Sequence, residues 1–292
     1  MTRFKSPHSW YMLEKDAPAA LVLRVAAFLQ ERESYGVAAS ARFLKRDRQD
    51  RIWVREKRNG IAGLIIQSKG TLFPVFNGIS PLFLKEFLVC GLQNLGFYTI
   101  QGIRRDVELL EQVFALGEVW SSNSIDYDLM VLDREPARVQ SCFPGLILRY
   151  AEPEDQEELF HLQAAYEQEE VIPQGRVFNP AVCRLSLEHI MNHEYLLLAQ
   201  GKSKILGKIN TNAVSFSRYQ IGGVYVLPDY RGLGIASFMA AAFVRDLRTT
   251  GSGLTLFVKK QNPAAREVYL RIGFSVLEDY RISYYAGRVF NA

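Results

Sequence analysis

Apolar positions change period several times along the chain, and the changes mark its elements. Ile235, Phe238, Met239, Ala242, Phe243 and Leu247 recur at helical spacing, and "TTGSG" at 249–253 supplies a stop. A helix over about 235–249 with one face in a core is expected. Upstream, "YQIGGVYVL" (219–227) is rich in strand formers but carries two adjacent glycines, which weaken packing and permit close backbone approach. It reads as a strand with an interrupted middle, and "LTLFVKK" (254–260) reads as the next strand. In "NPAAREVYLRIGF" (262–274), Asn262 is a natural cap, Pro263 sits at the favoured first position and Gly273 suits the end, so a short helix is predicted. Asn262 and Tyr269 are about two turns apart and project from nearly the same face.

The turn between the first strand and helix, "YRGLGIASF" (230–238), carries candidate chemistry. Gly232 and Gly234 let backbone N–H groups turn toward an anion at the positive end of a helix dipole, and Arg231 adds a full charge. Two familiar phosphate motifs fail on spelling. A nucleotide-triphosphate loop needs a lysine and a hydroxyl directly after its last glycine. A dinucleotide fingerprint needs its first glycine at the strand end and an acid after the next strand; here four residues, Pro228 to Arg231, intervene and the next strand ends in lysines.

What matches is R-x-x-G-x-A at Arg231, Gly234 and Ala236, preceded by V-x-V-x-P at Val224, Val226 and Pro228. This stretch resembles the pyrophosphate-binding segment of the acetyl-CoA-dependent GNAT superfamily of N-acetyltransferases, and residues 262–274 resemble its second segment. The resemblance implies acetyl-CoA as co-substrate, with its pyrophosphate at Arg231, Gly232, Leu233, Gly234, Ile235, Ala236 and Ser237. The pantetheine arm would lie along Val224, Tyr225 and Val226, with Asn262 at the cofactor and Tyr269 protonating the departing thiolate. An amine acceptor must lose a proton to attack, since a lysine-like amine has a pKa near 10.4. Many family members place a carboxylate on the strand before the loop, where this chain has Gln220 and two glycines. Glu169 and Glu170 are the candidate bases upstream. No metal is expected: His189 and His193 share helical spacing, but a third ligand is not evident.

Residues 75–120 lie without a gap over 231–276, placing Gly78 on Gly234, Phe87 on Phe243, Asp106 on Asn262 and Gly117 on Gly273. Arg231 then maps to Val75, Gly232 to Phe76 and Tyr269 to Val113, which removes the charge, the bare backbone and the hydroxyl together. The expected fold is α/β, two tandem GNAT-like domains, each a central mixed β-sheet flanked by helices. Residues 1–140 would be a degenerate domain without a cofactor site and 141–292 the acetyltransferase domain. The join falls in "DREPARVQSCFPG" (133–145). Packing, dimerisation or shaping of the acceptor site are the roles left to the first half.

Composition changes little in this picture. The 292 residues suit two domains, and 48% hydrophobic with 23% charged is ordinary for a globular chain. A net charge of +4 favours an anionic small molecule without demanding nucleic acid. The basic tract Arg42, Lys45, Arg46, Arg48, Arg51, Arg55, Lys57 and Arg58, with Trp53 inside it, is interleaved with Asp47, Asp50 and Glu56 and reads first as a solvated face. Cys90, Cys142 and Cys183 are too scattered for a disulfide framework. With no long apolar run and no signal-peptide core, a cytoplasmic protein is expected. The partners expected are acetyl-CoA, a small-molecule or peptide amine, and a second copy of the chain, with no membrane. Two other readings stay open: an acyl-CoA sensor without catalysis, and a nucleic-acid binder using residues 42–58.

Overall fold

A computed structural model describes residues 9–90, 96–139, 143–172 and 177–289. By its contacts the chain divides into two units, residues 1–129 with 278–292, and residues 130–277. The stretch 133–145 falls inside the second unit by this division, and the last strand belongs with the first from Glu278 on. Cys90 and Cys142, two of the three cysteines singled out above, have side chains outside the described residues.

The first unit begins with β1 (Tyr11–Met12), α1 (Ala19–Glu31), α2 (Val37–Lys45), β2 (Arg51–Lys57), β3 (Gly60–Ser68) and β4 (Thr71–Phe76). It continues with α3 (Pro81–Cys90), β5 (Gly96–Ile103), α4 (Arg104–Ala115) and β6 (Asn123–Leu132), the last three residues of which fall in the second unit. The second unit holds β7 (Ile147–Tyr150), α5 (Gln156–Tyr166), α6 (Pro180–His193), β8 (Leu196–Gln200), β9 (Ile205–Val214) and β10 (Arg218–Val226). After them come α7 (Ile235–Arg248), β11 (Gly253–Lys259) and α8 (Pro263–Ile272). The chain ends in β12 (Ser275–Val289), whose residues from Tyr280 on pair antiparallel with β5.

In the second unit the strand order is β11-β10-β9-β8-β7, antiparallel except for the parallel β10–β11 pair. Both faces are covered, because alternate strand residues are apolar on each side. Ile209, Ile221, Leu254 and Leu256 pack with Ile235, Met239, Phe243 and Leu247 of α7, most of the stripe expected for that helix, while Phe238 is half-buried outside this core. On the other face Leu196, Leu198, Ile205 and Tyr225 pack with Leu159 and Leu162 of α5 and Leu187 of α6.

In the first unit the order is β1-β2-β3-β4-β5-β12-β6, with β4 and β5 again the parallel pair. Trp10, Trp53, Phe87, Phe97 and Phe114 form the centre of its core. The two units share the sequence of strand, glycine turn, helix, parallel strand and helix. Gly78 (φ +70°) and Gly234 (φ +77°) are both left-handed.

The gapless overlay fails in detail. In the first unit, four residues join β4 to α3, against eight between β10 and α7. Val75 and Phe76 are therefore strand residues, and Arg231 and Gly232 have no counterpart there. Asp106 is likewise the third residue of α4, not its cap, and its buried carboxylate accepts the Phe76 N–H at 2.8 Å.

Burial raises the pKa of Asp106 from 3.8 to about 6, against the lowering effects of the Phe76 N–H and Arg105. The folded chain thus holds this proton more tightly than the unfolded one, and stability falls as pH rises through that window and stays lower above it. Asp106→Asn should raise Tm by a few degrees at about pH 7.5 and leave it unchanged near pH 3.5. A fall in Tm at the higher pH, followed by calorimetry, would contradict the assignment.

Candidate active site in the second unit

The site grows from a strand that parts from its neighbour. The parallel register of β10 and β11 runs from Arg218↔Gly253 to Ile221↔Leu256 and ends there. On its other edge β10 stays paired with β9, with a register shift between Gly222 and Tyr225. The shift is a bulge that only glycine fits: Gly223 has φ +60°, and a Cβ there would overlap the Asn210 side chain. Residues 222–226 therefore carry one backbone edge that no strand pairs, its Val226 carbonyl taken by Arg231, and such an edge is what an extended, amide-bearing ligand needs.

Directly after this edge comes a short 3₁₀ turn, Pro228–Tyr230, and then the glycine loop. Gly232 and Gly234 both have φ +77°, and nothing lies within 4 Å of the Cβ that either would carry. Gly234 is the N-cap of α7, so the first N–H groups of that helix have no side-chain cap. An anion fits there on charge and on room. Leu233 is exposed, Ile235 is buried in the core, and Ala236 and Ser237 are half-buried on the first turn of α7.

Glu169 and Glu170 lie on a π-helical turn, Glu167–Val171, that continues α5. Glu169 accepts from the Tyr225 hydroxyl at 2.6 Å and from Arg231 Nη2 at 2.7 Å, while Arg231 Nε donates to the Val226 carbonyl at 3.0 Å. Burial pushes the Glu169 carboxyl up, but the Tyr225 and Arg231 hydrogen bonds and the guanidinium charge outweigh it and hold the pKa below the usual value. The Tyr225 phenol is pushed up to about 12 by burial and by the same carboxylate. Glu170 pairs instead with Lys259 at the end of β11, at 3.0 Å. The structure thus brings the loop arginine, strand β10 and the acidic turn into one network.

Asn262 caps α8, its side chain accepting the Ala265 N–H at 3.0 Å, as its position in the sequence suggested. Tyr269 is buried, with its ring edge-on to Phe274 at 5.9 Å. Burial first, and then Tyr166 and Glu170, raise its pKa well above that of an ordinary phenol. Its hydroxyl therefore stays protonated at any physiological pH.

Lys208 is the functional candidate that the sequence concealed. It is wholly buried on β9, with Nζ donating to Asn210 Oδ1 at 3.1 Å and to the Gly223 carbonyl at 3.0 Å, and 4.8 Å from the Tyr166 ring centroid. Burial lowers its pKa to about 7, opposed by Glu167 and Cys183. Asn210 in turn donates to Asn212 at 3.0 Å. A polar ladder thus braces the bulge from beneath. Lys208, Asn210 and Asn212 alternate along β9, a pattern that reads as a solvent face; only the packing of α5 and α6 reveals that two of the three are buried.

Other sequence candidates do not gather into sites. His189 and His193 lie with their ring centroids 4.7 Å apart and tilted by 55°, and among the described residues no group of three or more His, Cys, Asp or Glu could hold a metal ion. Within the basic tract, Trp53 is core and Arg55 is buried, paired with Glu86 at 2.5 Å and stacked over Phe83. No described helix is long and apolar enough to cross a membrane.

Residues 147–274 match the Acetyltransferase (GNAT) family. This stretch is a GNAT acetyltransferase domain. No curated protein matches the chain in sequence. Several solved structures share its fold over nearly the whole length. A tandem GNAT protein from the clavulanic acid biosynthesis pathway is 12% identical, with a TM-score of 0.60 over 94% of this chain and 97% of that one. An acetyltransferase from the GNAT family of Colwellia psychrerythraea is 14% identical, with a TM-score of 0.58 over 95% and 99%. A GCN5-related N-acetyltransferase from Sphaerobacter thermophilus is 17% identical, with a TM-score of 0.59 over 94% of both. The fold of this chain is therefore that of two tandem GNAT-like domains. The GNAT domain is the part that carries the glycine loop and the open strand edge.

Proposed function

We propose that the GNAT domain transfers an acetyl group from acetyl-CoA to a primary amine by direct attack on the thioester. The observation that carries the reading is the departure of β10 from β11 at Ile221, beside a left-handed glycine turn that opens α7. The open edge at Val224–Val226 would pair with the amides of the pantetheine arm, and the N–H groups of residues 232–237 would hold the pyrophosphate. Asn262, already committed to its helix cap, would meet the cofactor through its remaining polar atoms. In the reaction the neutral amine nitrogen bonds to the carbonyl carbon, the C–S bond breaks with the electron pair leaving on sulfur, and the proton released from nitrogen passes to solvent water. Tyr269 serves as the donor to that sulfur. Its raised pKa lies above the roughly 8.5 of a thiol, so it acts chiefly by a hydrogen bond that strengthens as charge develops.

Glu169 is poorly suited to take the proton of the amine, because its pKa is depressed and both oxygens are engaged. It suits a positioning role, aiming Arg231 across the loop, and it opposes phosphate with its own charge. Glu169→Gln should lower kcat by less than about tenfold and tighten acetyl-CoA binding a few-fold. A loss on the order of 100-fold in kcat at unchanged KM would instead make Glu169 the base.

Residues 1–140 are proposed to lack a cofactor site, since the arginine-bearing part of the loop has no counterpart there. Calorimetric titration of acetyl-CoA into the full chain tests both statements. One equivalent bound per chain is expected; no binding overturns the reading, and two equivalents overturn the silence of the first unit. An acyl-CoA sensor without catalysis predicts the same titration and no turnover with any member of a broad amine panel.

A further inference from the structure

The first unit keeps the parting of the parallel strands but changes its chemistry. The pairing of β4 with β5 covers only Thr71↔Thr99 and Leu72↔Ile100, and beyond it lies a cavity of about 460 Å³. Its size is that of a small-molecule pocket. Every residue lining it belongs to the first unit.

Along β4, residues alternate between the two edges. The Asn77 N–H goes to Ala62 on the β3 side, so Pro74 and Phe76 present their backbone groups to the notch. Pro74 has no N–H to offer, and the Phe76 N–H is taken by Asp106 Oδ2. The edge that would donate to an amide-bearing arm is therefore stripped of donors. Acceptors remain. The Pro74 carbonyl faces across to Gly102, where a Cβ would stand 3.2 Å from it, and the second oxygen of Asp106 has Arg105 Nε at 3.5 Å, from a side chain 66% exposed. Asp106 itself is 2% exposed.

Anions are disfavoured by the buried carboxylate; the cavity's other arginine, Arg32, pairs with the exposed Glu31 at 3.0 Å and lies over the Phe28 ring, and reaches Asp106 only as a charge at longer range. The walls near Asp106 include Val75, Ile79 and Leu109. Burial raises the Asp106 carboxyl to about 6 even though the Phe76 N–H, Arg105 and Arg32 act the other way, and a cation bound against it would offset the remaining cost of its charge. We infer that this notch binds an organic ammonium group carried on a short apolar chain, held by the Asp106 carboxylate and the Pro74 carbonyl. The inference stands apart from the reaction proposed for the second unit.

Titration of hexylamine into the full chain without acetyl-CoA, followed by calorimetry, tests it. Expected are one event that Asp106→Asn weakens roughly tenfold or more, and binding of hexanol and hexanoate that is weaker by a similar factor. Asparagine retains an acceptor for Phe76, so the variant isolates the charge. Should it fail to fold, Leu109→Trp, which fills the cavity from a partly exposed position, must abolish the same event. Hexylamine binding that neither variant disturbs places the amine elsewhere and overturns the proposal, as does hexanoate binding equally well or no binding at millimolar hexylamine.

Discussion

Tyr269→Phe is expected to lower kcat on the order of 100-fold or more while changing the affinity for acetyl-CoA little. The argument rests on placement and protonation. The phenol is buried on α8, burial keeps it protonated, and phenylalanine preserves the ring and its edge contact with Phe274. The substitution therefore deletes a donor and almost nothing else. An interaction that strengthens only as charge grows on sulfur appears in kcat and not in ground-state binding. Pre-steady-state acetyl transfer with any amine the chain accepts is the measurement. Unchanged kcat would remove Tyr269 from the chemistry, and an equal loss in binding would make it a packing residue.

Gly234→Trp is the second large effect, expected to weaken acetyl-CoA binding by about 100-fold or more. Gly234 stands at φ +77°, a conformation that side chains rarely adopt, and its Cβ would point into open space at the start of α7. Strain there is on the order of 1 to 2 kcal/mol, too little by itself to unfold a domain. The indole would instead lie where the pyrophosphate is proposed to sit, and would turn the helix N–H groups away. Tm measured beside the titration separates the two consequences. Binding that survives with the fold intact would move the phosphate site away from residues 231–237.

How much of this was legible beforehand depends on the range of the signal. The cap at Asn262, the end of α8 at Gly273, the apolar stripe of α7 and the turn at Gly232–Gly234 are set by residues a few positions apart, through φ, ψ and helical period. Adjacent letters suffice for each of these. The broken middle of "YQIGGVYVL" was also legible as a break, although its reason, the Asn210 side chain occupying the space of a Cβ, was not. The overlay of the two halves carried the order of elements and failed in the loops, where insertions cost little and leave no period to follow.

The sequence by itself determined the local grammar of residues 219–274: which segments there are strands and helices, where the glycine turn opens a helix, and the family that this spelling resembles. The tertiary structure alone decided the rest. Lys208 and Asn210 look like an exposed strand face until α5 and α6 cover them. Glu169 reads as a free acid until the fold sets it against Tyr225 and Arg231, 56 and 62 residues away. Asp106 reads as a helix cap until the Phe76 N–H reaches it across 30 residues. Burial and partners set the protonation of each of these groups, and both are properties of contacts between distant segments, which no window of neighbouring residues contains.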